Sequence, residues 1–163
     1  MTSLASAMSS TMSIGIDGLQ FHHFGLAVQV PDLAFLYLRT LGYSEGRQVF
    51  DPLQRVNLAM RHHTTMPDVE VIWPGDEPSP IDRLVKRMGT LIYHMCYECS
   101  EPDVALVALE AAGLDVVPVT PPTPAVLFGG CEVSFYTISG IGLVELLRTE
   151  PARCPDQIPL EPA

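Results

Sequence analysis

The chain has 163 residues, 47% of them hydrophobic and 17% charged, the composition of one folded domain with a substantial core. Nine basic residues stand against 19 acidic ones, and the formal net charge of −10 argues against a nucleic-acid surface. No apolar run reaches the roughly 18 residues of a membrane-spanning helix, so no membrane partner is expected.

Residues 1–18, "MTSLASAMSSTMSIGIDG", have neither a basic n-region nor an apolar h-region. They read as a disordered tail rather than a secretory signal, with the cytoplasm as default compartment. A short apolar strand then starts at His23 in "HFGLAVQVPDLAFLYLRTLGY" and runs into a Pro31-Asp32 turn. Asp32 is placed to cap a helix whose apolar residues Leu33, Leu36, Tyr37 and Leu41 recur at helical spacing. Gly42 suits its left-handed end. On the strand itself, His22 and His23 are expected on opposite faces.

Strand candidates follow in "RQVF", "VNLAMRH" and "VEVIW", separated by turn signals. The connector "PGDEPSPIDRLVKRMG" has helix-start signals around Ser79-Pro80, and its Arg83, Lys86 and Arg87 read as a solvated helix face. His62 and His63 fall at a strand end leading into a turn. A second strand and helix follow in "HMCYECSEPDVALVALEAAGL", with Asp103 at the cap and apolar residues at Val104, Val107, Ala108 and Leu109. The last strand candidates are "DVVPV", "CEVSFYTI" and "GLVELLR". Residues 150–163 read as a C-terminal tail. The four cysteines are expected as free thiols, and Cys96 and Cys99 as pointing to opposite faces of a strand.

The chain repeats itself. At an offset of 71, His23 matches His94, Pro31-Asp32 matches Pro102-Asp103, and Gly42 matches Gly113. Each half is strand, helix, strand, strand, strand. Each begins with a His on a buried strand and ends with a Glu on one: His23 with Glu70, and His94 with Glu145. A carboxylate inside "GLVELL" needs water, a cation or a metal, because an unpaired buried charge is costly. If the halves pack with pseudo-twofold symmetry, two imidazoles and two carboxylates converge. That set suits a divalent transition metal such as Co, Ni, Mn, Zn or Fe.

The stretches "HHFGLAV", "LGY", "VEVIWPGDEPSPIDRLVKRMGTLIYH" and "GLVELL" resemble the vicinal oxygen chelate superfamily, most closely its methylmalonyl-CoA epimerase and glyoxalase branch. The resemblance implies an α+β fold of two βαβββ modules in tandem, forming a curled, barrel-like mixed sheet around a metal site. It places the module boundaries at 19–75 and 90–149, with a linker helix at 76–89, in one domain spanning 19–149. It puts the four metal ligands on His23, Glu70, His94 and Glu145.

The same resemblance asks for an acidic catalytic base near Gln48, Val49 or Phe50, where this chain has none. Asp51 is the substitute on the same strand face as Val49, and a ligand glutamate, Glu70 or Glu145, is the other option. In "PPTPAVLFGGCEVSF" the Gly129-Gly130 pair allows either a loop over the metal or an ordinary crossover.

The expected activity is isomerase, epimerase or lyase chemistry on a small carbonyl substrate, an acyl-CoA included, through a metal-stabilised enolate. The rivals are a non-haem iron dioxygenase of the same superfamily and a non-catalytic small-molecule binding or resistance protein. A homodimer is the expected assembly.

Overall fold

The computed structural model describes residue 16 and residues 18–149. Apart from residues 16 and 18, the expected tails at 1–18 and 150–163 lie outside the described residues. The first half comprises β1 (Gln20–Ala27), α1 (Asp32–Thr40), β2 (Gln48–Asp51), β3 (Val56–Arg61) and β4 (Asp68–Pro74). After α2 (Asp82–Met88), the second half comprises β5 (Leu91–Cys99), α3 (Pro102–Ala111), β6 (Val116–Pro124), β7 (Glu132–Ile138) and β8 (Gly142–Arg148).

All eight strands form one sheet in the order β2-β3-β4-β1-β5-β8-β7-β6. β1 pairs parallel with β4, β5 pairs parallel with β8, and the halves join through antiparallel β1 and β5. This is the expected pair of βαβββ modules, related across the β1–β5 seam in an α+β fold.

Alternation along the strands sorts side chains between the two faces. On β4, Val69, Val71 and Trp73 face α1 and pack with Val28, Ala34, Leu38 and Tyr43. Ile72 faces the concave side, where Ala27, Val56, Leu58, Ile81 just before α2 and Val85 within it form a second core. Each fully buried Val, Leu or Ile side chain here contributes roughly 1.5–3 kcal/mol.

α1 uses a face other than the one expected, and α3 does so in part. α1 buries Ala34 and Leu38, while Leu33 and Tyr37 are 79% and 62% exposed. α3 buries Ala105 and packs Leu106 and the expected Leu109 against the core, but leaves Val104 and Val107 exposed. Both helices are apolar on more than one stripe, so spacing alone could not choose, and the small residues allow the closest approach to a sheet. Asp32 and Asp103 lie inside the first turns and make no cap hydrogen bond, so they act on the helix dipole instead. Gly42 and Gly113 do follow their helices with φ of 92° and 89°.

β6 runs longer than "DVVPV", through Pro118, Pro121, Pro122 and Pro124. It is an edge strand, where missing amide donors are tolerated. No helix among the described residues is long and apolar enough to cross a membrane.

Candidate metal centre

The four central strands each deliver one polar side chain to the concave face: Glu70 from β4, His23 from β1, His94 from β5 and Glu145 from β8. Strand register brings them together. Gly25 pairs with both Glu70 and His94, and Cys96 pairs with both His23 and Glu145. All four are at least 96% buried.

Their donor atoms lie close. His23 Nε2 is 3.3 Å from His94 Nε2, 3.7 Å from Glu70 Oε2 and 3.5 Å from Glu145 Oε2. His94 Nε2 is 3.6 Å from Glu70 Oε2 and 3.2 Å from Glu145 Oε2. Ligands at about 2.0–2.2 Å from one divalent ion stand about 2.9–3.6 Å from their neighbours, so these donors fit around a single cation. Glu145 Oε2 is buried without a hydrogen-bond donor. A cation would satisfy it, which accounts for a carboxylate inside "GLVELL".

The electrostatics agree. Burial lowers the His23 pKa to about 3, so that ring is neutral, the form that binds metals. Burial raises the Glu70 pKa, so without a cation its carboxyl holds a proton more readily. At His94 burial acts to lower the pKa, but the Glu145 and Glu70 carboxylates outweigh it and the net shift is upward. A divalent ion would replace these protons and neutralise the two carboxylates.

Three neighbours were not legible as site residues. Gly25 gives His94 its room, since a Cβ there would lie 2.3 Å from His94 Cε1. His22 lies beside His23, not on the opposite face as expected. β1 slips against β5 between Phe21 and His23, and this bulge swings His22 Nδ1 to 2.7 Å from His23 Nδ1. Phe128 belongs to a 3-10 turn at Val126–Phe128, inside the Pro-rich segment, with Gly129 and Gly130 following at positive φ. Its ring centroid is 5.7 Å from that of His23 and 5.4 Å from that of His22. Of the two readings of this segment, the loop over the site is the one its position favours.

Asp51 lies buried on the concave-face side of β2, in register with Val56, as Val49 is with Leu58. Its Oδ1 accepts from the Leu53 and Gln54 amides at 2.8 and 3.0 Å, which ties the carboxylate to the following turn. His62 pairs with Asp68, and His63 Nδ1 accepts from the Thr65 and Met66 amides, both away from the cluster. Cys96 and Cys99 are free and pack into different cores, on opposite faces. Cys131 is disulfide-bonded, which corrects the expectation of free thiols at that residue.

Known proteins share this architecture. The methylmalonyl-CoA epimerase of Mycobacterium tuberculosis matches with a TM-score of 0.64 at 23% identity, over 82% of this chain and 89% of that one. A hypothetical protein from Bacillus halodurans matches with a TM-score of 0.67 at 20% identity, over 81% and 95%. A variant of the Streptomyces coelicolor methylmalonyl-CoA epimerase in complex with 2-nitronate-propionyl-CoA gives 0.62 at 17% identity, over 82% and 99%. At these identities the likeness establishes the fold. No curated protein matches the sequence. The family model described as the Glyoxalase/Bleomycin resistance protein/Dioxygenase superfamily matches residues 22–135, and the chain belongs to that superfamily.

Proposed function

We propose that the chain is a metal-dependent isomerase, epimerase or lyase that moves the proton α to the carbonyl of a small substrate, with acyl-CoA thioesters the first class to test. The observation that carries this reading is the buried set of two imidazoles and two carboxylates, with inter-donor contacts of 3.2–3.7 Å. His23, Glu70, His94 and Glu145 would hold a divalent ion, one of Co, Ni, Mn, Zn or Fe. When bound, such an ion supplies Lewis-acid polarisation of a carbonyl.

The chain's own groups supply the proton handling. Glu70, a buried carboxylate of the cluster, is the first candidate to take a proton from carbon and return it. Glu145 is its counterpart in the second module, and Asp51 is the third candidate. Phe128 and His22 cover one side of the cluster and keep water from an exposed carbanion-like centre. The acyl-CoA class draws support from structural neighbours that carry 2-nitronate-propionyl-CoA or methylmalonyl-CoA.

A dioxygenase is disfavoured by the second carboxylate, and a purely sequestering protein by the intact donor set. The exposed apolar residues Leu33 and Tyr37 of α1 support a homodimer, which gel filtration with light scattering would reveal.

Elemental analysis of gently purified protein, beside Glu145→Gln and His94→Ala, tests the site. About one equivalent of transition metal, sharply reduced in both variants, is expected. Solvent deuterium should then enter the α-position of a methyl-branched acyl-CoA. Absence of metal after reloading with all five ions would overturn the catalytic reading.

A further inference from the structure

Arg61 ends β3 on the face opposite the His/Glu cluster, one residue beyond Met60, which pairs with Glu70. It is 6% exposed, and its guanidinium stacks on Phe35 of α1, 4.1 Å from the ring centroid. Its Nε is buried without a hydrogen-bond partner, and no carboxylate among the described residues forms an ion pair with it. Glu45, which acts on it electrostatically, is paired with Arg39 at 3.4 Å. A largely buried charge with no anionic partner is costly, so this position favours an anion.

Room for one is present. Arg61 lines a cavity of about 280 Å³ with Phe35, Leu36, Arg39, Tyr43, Ser44 and Gln48, and Arg39 is already paired with Glu45. Asp32 and Glu45 line it too, which disfavours a dianion. One guanidinium without a carboxylate partner, an apolar wall at Phe35 and Leu36, and flanking negative charge fit a singly charged, planar anion with an apolar body. We propose that this cavity is a second small-molecule site, taking a monocarboxylate whose two oxygens meet the Arg61 guanidinium and whose hydrocarbon part lies against Phe35 and Leu36.

Titration calorimetry of the full chain with acetate, butyrate and phenylacetate, their amides and inorganic phosphate tests this. The carboxylates should bind saturably, tighter as the apolar body grows, and the amides should not. Arg61→Met should weaken binding at least tenfold. His94→Ala should leave it unchanged, which separates this site from carboxylate capture at the metal centre. On the unmodified protein, the Phe35 and Tyr43 ring signals should shift on titration, a readout that does not depend on Arg61→Met folding. No saturable binding, tighter binding of phosphate than of carboxylates, or equal affinity in Arg61→Met would overturn the proposal.

Discussion

Gly25 and His94 face each other across the β1–β5 seam, and the space a side chain would occupy at Gly25 is filled by the His94 ring. The offset of 71 places Cys96 where Gly25 stands in the first half, so the two modules are not interchangeable here. Gly25→Ala would have to push His94 off its position or distort the seam. Such overpacking costs typically about 1–3 kcal/mol. We expect metal affinity to fall at least about tenfold, because a displaced ligand no longer shares the cation. Competition with a chelator would measure it, and unchanged affinity would show that the His94 ring is not fixed by Gly25.

His22 and His23 share one hydrogen bond between their Nδ1 atoms, so one ring donates and the other accepts. With His23 Nε2 turned to the cluster and free of its proton, His23 Nδ1–H donates and His22 Nδ1 accepts. That bond would fix the tautomer and aim of His23. His94 has no such support, since its Nδ1 is buried without a partner, and it is held by contacts with Tyr93 and Phe135. His22→Phe keeps a ring beside Phe128 but removes the acceptor, and should weaken metal binding about tenfold or more. His22→Asn, which can accept through its amide oxygen, should lose less. Equal losses in the two variants would point to packing rather than hydrogen bonding.

The strand-helix-strand-strand-strand plan and the convergence of His23, Glu70, His94 and Glu145 were readable because an internal repeat is a symmetry statement. Matching positions in two halves that pack about one axis end up together. What the repeat could not convey is whatever breaks the symmetry or depends on local register. The bulge before His23 reverses the side on which His22 lies, and alternation counted from sequence has no means of seeing an extra residue. The helices posed a different problem. Leu33 and Tyr37 look like core residues, yet Ala34 and Leu38 are the ones that reach the sheet. Phe128 comes to the site from a Pro-rich stretch whose path over the first module is a long-range matter, invisible to periodicity.

The metal-free chain should lose stability as pH rises above neutrality. Glu70 is raised by burial, so its contribution is full below its ordinary 4.5 and is lost as pH climbs through the raised value. His94 is raised on balance by its carboxylate neighbours, so its contribution is full below 6.5 and is lost above it. His23, lowered to about 3, works the other way, but only as pH falls below 6.5. From pH 6.5 to 8.5, therefore, only losses remain. We expect Tm of the chelator-treated protein to drop, by about 2–4 °C for each kcal/mol lost. The metal-loaded protein should hold steady or gain, because the carboxylates and His94 must be deprotonated to bind. Calorimetric scans of both forms would show the gap widening with pH, and a metal-free Tm that rises over this range would contradict the assignment.

Asp51 separates a turn-forming role from a catalytic one. Its Oδ1 accepts two backbone amides in the turn after β2, and Asn offers the same acceptor without the charge. Asp51→Asn should therefore keep Tm within the equivalent of about 1 kcal/mol. It should also keep α-proton exchange within about threefold, because both carboxylate oxygens already accept within the turn, Oδ1 from two amides and Oδ2 from Gln54 Nε2 at 3.4 Å. The proton transfer then falls to Glu70 or Glu145, and replacing either would remove both metal and exchange. A general base contributes roughly 10²–10⁴-fold to rate. Exchange that fell by that much in Asp51→Asn, with metal content and Tm intact, would move the base to Asp51 and leave the glutamates as ligands alone.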